Sequence, residues 1–426
     1  MANYSYFERL LASTLSKFPS LKRNIKRVYT KINYHLAINR KSVELTEDSV
    51  LESVGDDNSS TFFGYYDKSP LSEDGKYCIY HRTNLDTSKL PSFGQSIELV
   101  VEKTESKKVI YTLNSYAFNW QQGSKLHWIS DNKFIYNDRG EFGYVSKIFS
   151  VDEGRVIKQF DKAVYDSFKD MFGISLSFEA LQVHSPDYGY YFNEISGQDV
   201  CKDTGIDLLC YSTGAVERLL SIENIIEFES SRKGESYFCS DHTVNHIMLS
   251  PTGDKFIFIH RWYEKGVRFD RLLSYSLDKK NLALLIDQEM VSHCCWISNT
   301  EILGYFRFNG KNRYYTLDVE SHLIQDVSSE DLVEHGDGHP SLLSGTVVVT
   351  DSYPNRKGQQ SLLTYDYITK DMSTIAKFSH PPKFFGSGRC DLHPRVAKHD
   401  SRLLFVDSVH SGQRRLYRIY RGDSSL

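Results

Sequence analysis

Beyond Thr61 the apolar positions fall in short alternating runs separated by polar turns, and the runs recur at a steady offset. Lys255–Arg261, Glu301–Arg307, Thr346–Asp351 and Arg402–Asp407 are examples of one such run in successive units. Alternation at period two predicts strands rather than helices. Turn markers follow an apolar strand at Ser69-Pro70, Ser130-Asp131-Asn132, Ser185-Pro186-Asp187, Ser250-Pro251-Thr252-Gly253, Ser298-Asn299, Ser344-Gly345 and Lys398-His399-Asp400, which makes seven units. Most continue through a second strand, a loop, and a third strand rich in Leu and Tyr, such as Leu272-Leu273-Ser274-Tyr275 or Ser361-Leu362-Leu363-Thr364-Tyr365. A weaker fourth strand follows, as at Leu282–Ile286. Four-stranded units repeating every ~40–50 residues predict a propeller. The expected fold class is all-β, a seven-bladed β-propeller. The last blade runs out near Arg421 after its third strand. A fourth strand is therefore expected from the N-terminal side, within Ser42–Ser53, because a borrowed strand closes the ring and removes open edges.

The period changes before Thr61. Phe18, Leu21, Ile25, Val28, Ile32 and Leu36 recur at steps of three and four, with Pro19 suited to a first helical turn. An N-terminal amphipathic α-helix is predicted over 1–41. Lys22, Arg23, Lys26, Arg27 and Lys31 lie on its other face. The segment holds nine Lys or Arg against Glu8 alone, so +8 there leaves −12 on the rest of a chain whose net charge is −4. A basic amphipathic helix can rest on an anionic membrane surface; packing against the domain is the plainer alternative. The expected organisation is this basic helical segment over 1–41, an acidic linker with the closing strand over 42–60, and the propeller over 61–426. Two inserts, Lys162–Phe178 (read as helical from Phe168, Met171 and Phe172) and Glu223–Asp241, are expected to overhang one face.

Composition narrows the function. Tyr 28 and Phe 25 against Met 5 favour strands, and the near-balanced charge argues against nucleic acid as a partner. Cys78, Cys201, Cys210, Cys239, Cys294, Cys295 and Cys390 are odd in number and lack CxxC spacing, which fits neither a zinc site nor a secreted disulfide framework. No apolar run reaches membrane-span length and no signal-peptide pattern opens the chain, so a cytoplasmic location, with peripheral contact at the inner face of the membrane, is expected. No G-x-S-x-G elbow, Gly-rich phosphate loop or H-E-x-x-H occurs.

The candidate chemistry comes from register. His246, His293, His339 and His393 stand at the start of the first strand in four consecutive units. In a propeller such positions ring one axis, so histidines spread over ~150 residues would meet in space. The end of each second strand reaches the same rim, which adds Tyr80-His81-Arg82, Asn137-Asp138-Arg139, His260-Arg261-Trp262-Tyr263 and Thr350-Asp351-Ser352-Tyr353. The metal candidates are His246, His293, His339 and His393, since imidazole with oxygen donors suits Mn or a similar divalent transition metal. Arg82, Arg139, Arg261, Tyr353 and Arg389 are the substrate-binding candidates, because Arg grips carboxylates bidentately and aromatic rings stack on sugars. His242 is the first choice of proton-abstracting base and His184 the second. Asp337 and Asp391 would serve as a carboxylate pair in a hydrolase or transferase.

At these residues the chain resembles the oligogalacturonate lyase family and TolB-type propeller repeats. The resemblance runs from about Thr61 to Arg421 and rests on the Ser-Pro-x-Gly turns, the in-register histidines, His260-Arg261-Trp262-Tyr263 and Arg389-Cys390-Asp391-Leu392-His393-Pro394. It implies a seven-bladed propeller, a Mn ion held by three His and a Gln, and cleavage of galacturonides by β-elimination with a His base. The family's Gln/His cluster is not reproduced: the matching stretch here is Glu334-His335-Gly336-Asp337-Gly338-His339. The expected function is a metal-assisted lyase acting on a uronic-acid-containing saccharide. The alternative is a non-catalytic glycan- or protein-binding propeller in a membrane-associated surface-polysaccharide complex.

Overall fold

The computed structural model describes residues 32–34, 36, 41–191, 204–229 and 233–422. Ile32–Tyr34 and Leu36 are helical; the rest of the expected helix over 1–41 lies outside the described residues, apart from Lys41. Seven antiparallel sheets follow one another along the chain. Blade 1 comprises Ser60–Phe62, Tyr77–Thr83, Ile97–Lys103 and Lys108–Ser115, and blade 2 His127–Ser130, Lys133–Arg139, Tyr144–Ser150 and Arg155–Phe160. Blade 4 (Asp241–Leu249, Lys255–Glu264, Val267–Ser276, Asn281–Ile286) and blade 5 (Val291–Trp296, Glu301–Phe308, Lys311–Asp318, Ile324–Asp326) have the same plan.

Burial explains why these segments are strands. The second strand of blade 4 is buried without a break from Phe256 to Trp262, because adjacent blades cover both of its faces. Ile257, Ile259 and Leu272 of blade 4 pack on Val291, Ile302 and Phe306 of blade 5, and equivalent layers separate the other blades. Outermost strands such as Arg155–Phe160 keep only scattered apolar contacts. The Ser-x-x-Gly turns close as their chemistry requires. Gly253 donates to the Ser250 carbonyl at 3.0 Å with φ +73°, while Ser250 and Thr252 both donate to Asp254 Oδ1.

Three short N-terminal strands stitch the ring. Val43–Leu45 adds a fifth, outermost strand to blade 6 (Ser341–Ser344, Val347–Asp351, Gln359–Asp366, Met372–Ser379). Val50–Ser53 pairs with Arg415–Tyr420 as the outer strand of blade 7, whose inner strands are Arg395–Ala397 and Asp400–Ser408. Ser60–Phe62 then starts blade 1.

One insert differs from expectation. Lys162–Phe178 is not a helix: Asp166–Phe168 and Phe172–Ser175 are the first two strands of blade 3, joined at Lys169 with φ +50°. Phe168, Met171 and Phe172 are spaced as a helix face would be, but two strands around a tight turn give the same spacing. Ser185-Pro186-Asp187 is accordingly not that blade's first turn. It ends the helix Phe178–His184, which lies between the second and third strands of blade 3. Glu223–Asp241 includes most of the helix Ile222–Glu227 and all of Glu235–Phe238. Among the described residues no helix is long and apolar enough to cross a membrane.

Candidate functional site

The mouth is crossed by the segment between the first and second strands of blade 1, which reaches His246, Cys294 and Ser341 on blades 4 to 6. Gly64 makes the crossing feasible: its φ is +118°, and a Cβ there would lie 2.6 Å from the backbone of Gln122. Asp407 accepts the backbone N–H groups of Phe63 and Gly64, both at 3.0 Å. The buried Arg395 pairs with that carboxylate at 2.8 Å and donates to the Tyr65 carbonyl at 2.9 Å. Tyr66 reaches blade 5, where its hydroxyl donates to the Cys294 carbonyl at 2.7 Å. Tyr65 and Tyr66 are thereby fixed beside the inner strands of blades 4 to 7.

Four imidazoles gather around these rings. Ring centroids run 5.5 Å from His246 to His293, 4.0 Å from His293 to His339 and 4.3 Å from His339 to His393. Tyr65 sits inside the arc, 5.3 Å from His393 and 5.6 Å from His246. The local backbone turns each ring inward. His246 and His293 lie where the pairing register shifts, between Asn245 and Met248 and between Val291 and Cys294; such bulges re-aim side chains. His246 and His393 also have φ of +54° and +46°, a left-handed backbone rare for non-glycine residues and frequent at functional sites. His339 and His393 each precede a proline at the entry to an inner strand. Gly338 lets the chain approach Asp351, whose carbonyl oxygen would lie 2.0 Å from any Cβ at that position.

Hydrogen bonds settle the tautomers of two rings. Asp351 Oδ1 accepts from both the backbone N–H and Nδ1 of His339, each at 2.8 Å, and Oδ2 accepts the backbone N–H of His393 at 3.1 Å. His393 donates from Nδ1 to the Gly64 carbonyl at 2.7 Å. The proton on Nδ1 leaves Nε2 of each ring as the outward nitrogen, and both Nε2 atoms are buried without a hydrogen-bond partner. A nitrogen held this way by a carboxylate or carbonyl is the usual support for a metal-binding imidazole. His339, His393 and the Asp391 carboxylate offer donor atoms within 4.8 Å of one another, and all three residues are buried. Two imidazoles and a carboxylate suit a divalent ion of the Mn type.

The electrostatics divide the cluster. Burial alone would lower the His339 pKa, but Asp351 outweighs it and the net shift is upward. Burial, reinforced by neighbouring His339, drives His393 well below its usual value, and burial with His293 and Arg261 does the same to His246. His293 is lowered by burial and His339 against the pull of Asp337, which accepts from the ring at 3.2 Å. Asp391 is opposed by burial yet held low by Arg389, which grips it from Nε at 2.7 Å and from Nη2 at 2.8 Å.

The other predicted residues separate into two sets. Tyr353 and Arg389 belong to the mouth: the Tyr353 ring is 5.8 Å from His339, and the Arg389 guanidinium lies 4.8 Å above it. Arg261 faces the same region from blade 4, anchored to Asp270 at 2.6 Å. His242 is tied up elsewhere. Arg271 donates to His260 Nδ1 at 2.9 Å, so His260 donates to His242 Nδ1 at 2.9 Å and His242 Nε2 donates to the Tyr237 carbonyl at 2.7 Å. With its acceptor nitrogen occupied, His242 has no lone pair for a substrate proton. His184 ends a helix and stacks on Tyr263 at 5.9 Å. Arg82 is held by Glu98 at 2.6 Å on blade 1, and Arg139 lies between two aromatic rings on blade 2. Tyr65, Tyr66, Tyr188 and Asp351 were absent from the candidates drawn from sequence. Tyr188 stands 5.2 Å from His246 and 6.3 Å from Tyr65. Only Asp351 carried a signal, as a carboxylate at the end of a second strand.

The class of protein is thus a seven-bladed propeller with a buried histidine–carboxylate cluster at one mouth. No protein-family model matches the chain, and no curated protein does. Solved structures do. An oligogalacturonate lyase in complex with manganese superposes over 89% of this chain and 96% of its own, with a TM-score of 0.60 at 11% identity. An oligogalacturonate lyase from Vibrio parahaemolyticus covers 90% and 98%, with a TM-score of 0.60 at 14% identity. TolB from Acinetobacter baumannii matches over 82% of each chain with a TM-score of 0.39 at 10% identity. The chain has the propeller fold of the oligogalacturonate lyases; at these identities the likeness is one of architecture.

Proposed function

We propose that the protein is a metal-assisted lyase that cleaves a uronic-acid-containing saccharide by β-elimination. The observation that carries this reading is the pair His339 and His393, buried, fixed through Nδ1 and unpartnered at Nε2, beside the Asp391 carboxylate. These three residues would hold the ion, and the manganese in the first of the solved structures makes Mn the metal to try first. A divalent ion there would neutralise the substrate carboxylate and so acidify the adjacent C5 proton. His246 replaces His242 as the base, because its ring stands in the arc 5.5 Å from His293 and 5.6 Å from Tyr65 and outside the Arg271–His260 hydrogen-bond chain that occupies His242. Tyr65, kept protonated by burial and within 3.3 Å of the His246 ring, is placed to return a proton to the leaving oxygen. In balance, C5–H and C4–O break, the C4–C5 double bond forms, His246 gains the proton and Tyr65 supplies one. Tyr188 and Tyr353 offer ring faces to the sugar, and Arg389 and Arg261 supply cationic edges around it.

Two measurements test the reading. Metal analysis of the purified protein should find stoichiometric binding after Mn loading, lost in the His339→Ala/His393→Ala double variant. Incubation with oligogalacturonides should raise ultraviolet absorbance from the conjugated uronate, and His246→Ala should slow that by ~100-fold or more. Metal and saccharide binding with no unsaturated product across a panel of uronic polysaccharides would instead leave a non-catalytic glycan-binding propeller.

A further inference from the structure

Outside the histidine cluster one mouth-side arginine differs from the rest. Arg82, Arg261, Arg389 and Arg395 are each paired with a carboxylate. Arg139, at the end of the second strand of blade 2, has no such partner and no side-chain hydrogen bond among the described residues. The nearest carboxylate in sequence, Asp138, is turned to other donors: Oδ1 accepts the backbone N–H of Tyr116 at 2.9 Å and of Arg139 at 2.8 Å, and Oδ2 accepts Lys147 Nζ at 2.7 Å. The guanidinium is held between aromatic rings, 4.7 Å from Phe93 and 5.0 Å from Tyr116. A guanidinium that meets aromatic rings through its π face keeps its N–H edges for a carboxylate, which they can grip in two parallel hydrogen bonds.

The surroundings are apolar: Phe93 is 51% exposed and Tyr116 41%, and Phe142, three residues beyond Arg139, is 93% exposed. Phe142 sits at the tip of the turn that follows Arg139, closed by Gly140 donating to the Gly143 carbonyl at 2.7 Å. Strand ends put this patch on the mouth side: the second strand of blade 2 ends at Arg139, and the fourth strand of blade 1 ends at Ser115 beside Tyr116. The loop carrying Phe93 is also joined to the mouth. Trp120 donates its indole N–H to the Lys89 carbonyl, Gly388 lies against the Ser88 backbone, and Gln121 donates to the Arg389 carbonyl at 3.1 Å.

We infer that Arg139, with Tyr116 and Phe142, is an outlying subsite for a further uronic acid unit, so that the protein takes an acidic saccharide chain rather than an isolated disaccharide. Arg139 would bind the carboxylate of that unit, and the exposed rings would lie against its C–H faces. The inference rests on the acidic-saccharide reading of the mouth and adds to it a preference for chain length.

Titration calorimetry on the full chain carrying His246→Ala, which suppresses cleavage, with Mn present, would compare a saturated galacturonate disaccharide, a hexasaccharide and an uncharged oligosaccharide of similar length. The hexasaccharide should bind more tightly than the disaccharide. Arg139→Gln should cut that advantage by about tenfold, the size of a charge-assisted hydrogen bond at a half-exposed site. Phe142→Ala should cut it by a smaller factor; at 93% exposure its removal leaves folding intact. An advantage that survives in both variants overturns the inference while the mouth reading stands. An equal loss against the uncharged chain overturns the carboxylate role of Arg139. No binding of either acidic saccharide overturns both readings.

Discussion

Asp351 governs more of the candidate centre than any other side chain. A single carboxylate accepts three hydrogen bonds and fixes His339 by backbone and ring and His393 by backbone. An amide cannot replace it, because all three partners are donors and an Asn places an NH2 opposite one of them. Asp351→Asn should therefore weaken Mn binding about 10–100-fold, as loss of a supporting hydrogen bond does at other metal sites, with most of the fold's stability kept. Calorimetric metal titration alongside a thermal melt separates the two effects; unaltered Mn affinity would remove Asp351 from the centre. At this scale the convergence of four histidines was legible, because one position in a repeated strand becomes one radius in a propeller. The Tyr65–Tyr66 crossing was not. Nothing distinguishes those two among 28 tyrosines until Gly64 is seen turning the chain across the mouth. The surroundings of His242 were hidden for a related reason: alternation puts it on the same strand face as His246, four residues on, and only the bulge between Asn245 and Met248 and the hydrogen-bond chain from Arg271 to His242 separate the two.

Elements are joined by pairings distant in sequence, and closure of the ring depends on very short ones. Val50–Ser53 covers the edge of Arg415–Tyr420, and Val43–Leu45 covers the edge of Met372–Ser379. An uncovered strand presents a row of unpaired backbone groups to other chains. Removing residues 1–53 should expose the edge of blade 7 and drive self-association, whereas removing residues 1–41 retains both strands. Size-exclusion chromatography with light scattering distinguishes them: a monodisperse 1–53 deletion with an unchanged melting temperature would show that closure contributes little. Blade count and strand order could be read from the spacing of polar turns, most of them built on a Ser or Asp whose side chain closes the turn locally, as Ser250 and Thr252 do on Asp254. Blade 3 could not, since Phe168, Met171 and Phe172 fit a helix face as well as two strands around Lys169. Only pairing with Gly205–Cys210 decides between them.

Across the whole molecule, buried neutral histidines set the response to acid. Burial holds the pKa of His81 down to about 3 and that of His127 to about 3 as well, against an unfolded value near 6.5. His81 is locked between Phe62, which it stacks on at 4.8 Å, and Ser124, with Nε2 2.9 Å from the Ser124 hydroxyl. His127 donates from Nδ1 to the Lys125 carbonyl at 2.6 Å, beside Ser167. Neither folded site accommodates a second proton, but the unfolded chain takes one up on each as pH falls below its ordinary value. Stability is therefore fully present above about pH 6.5 and declines as pH drops toward 3. Each group contributes roughly 1.4 kcal/mol per pH unit across that window, so the pair gives a slope of about 3 kcal/mol per unit. The mouth histidines His246, His293 and His393 shift the same way, and carboxylates held low by partners, such as Asp166 beside Lys68, add to the loss near the acid end. His339, shifted upward by Asp351, opposes it. Urea unfolding at a series of pH values from neutral to moderately acid should show this decline beginning near pH 6.5. His127→Gln, which keeps a donor and an acceptor but does not titrate, should flatten the slope by about half the pair's value; an unchanged slope would mean that His127 is protonated in the folded protein.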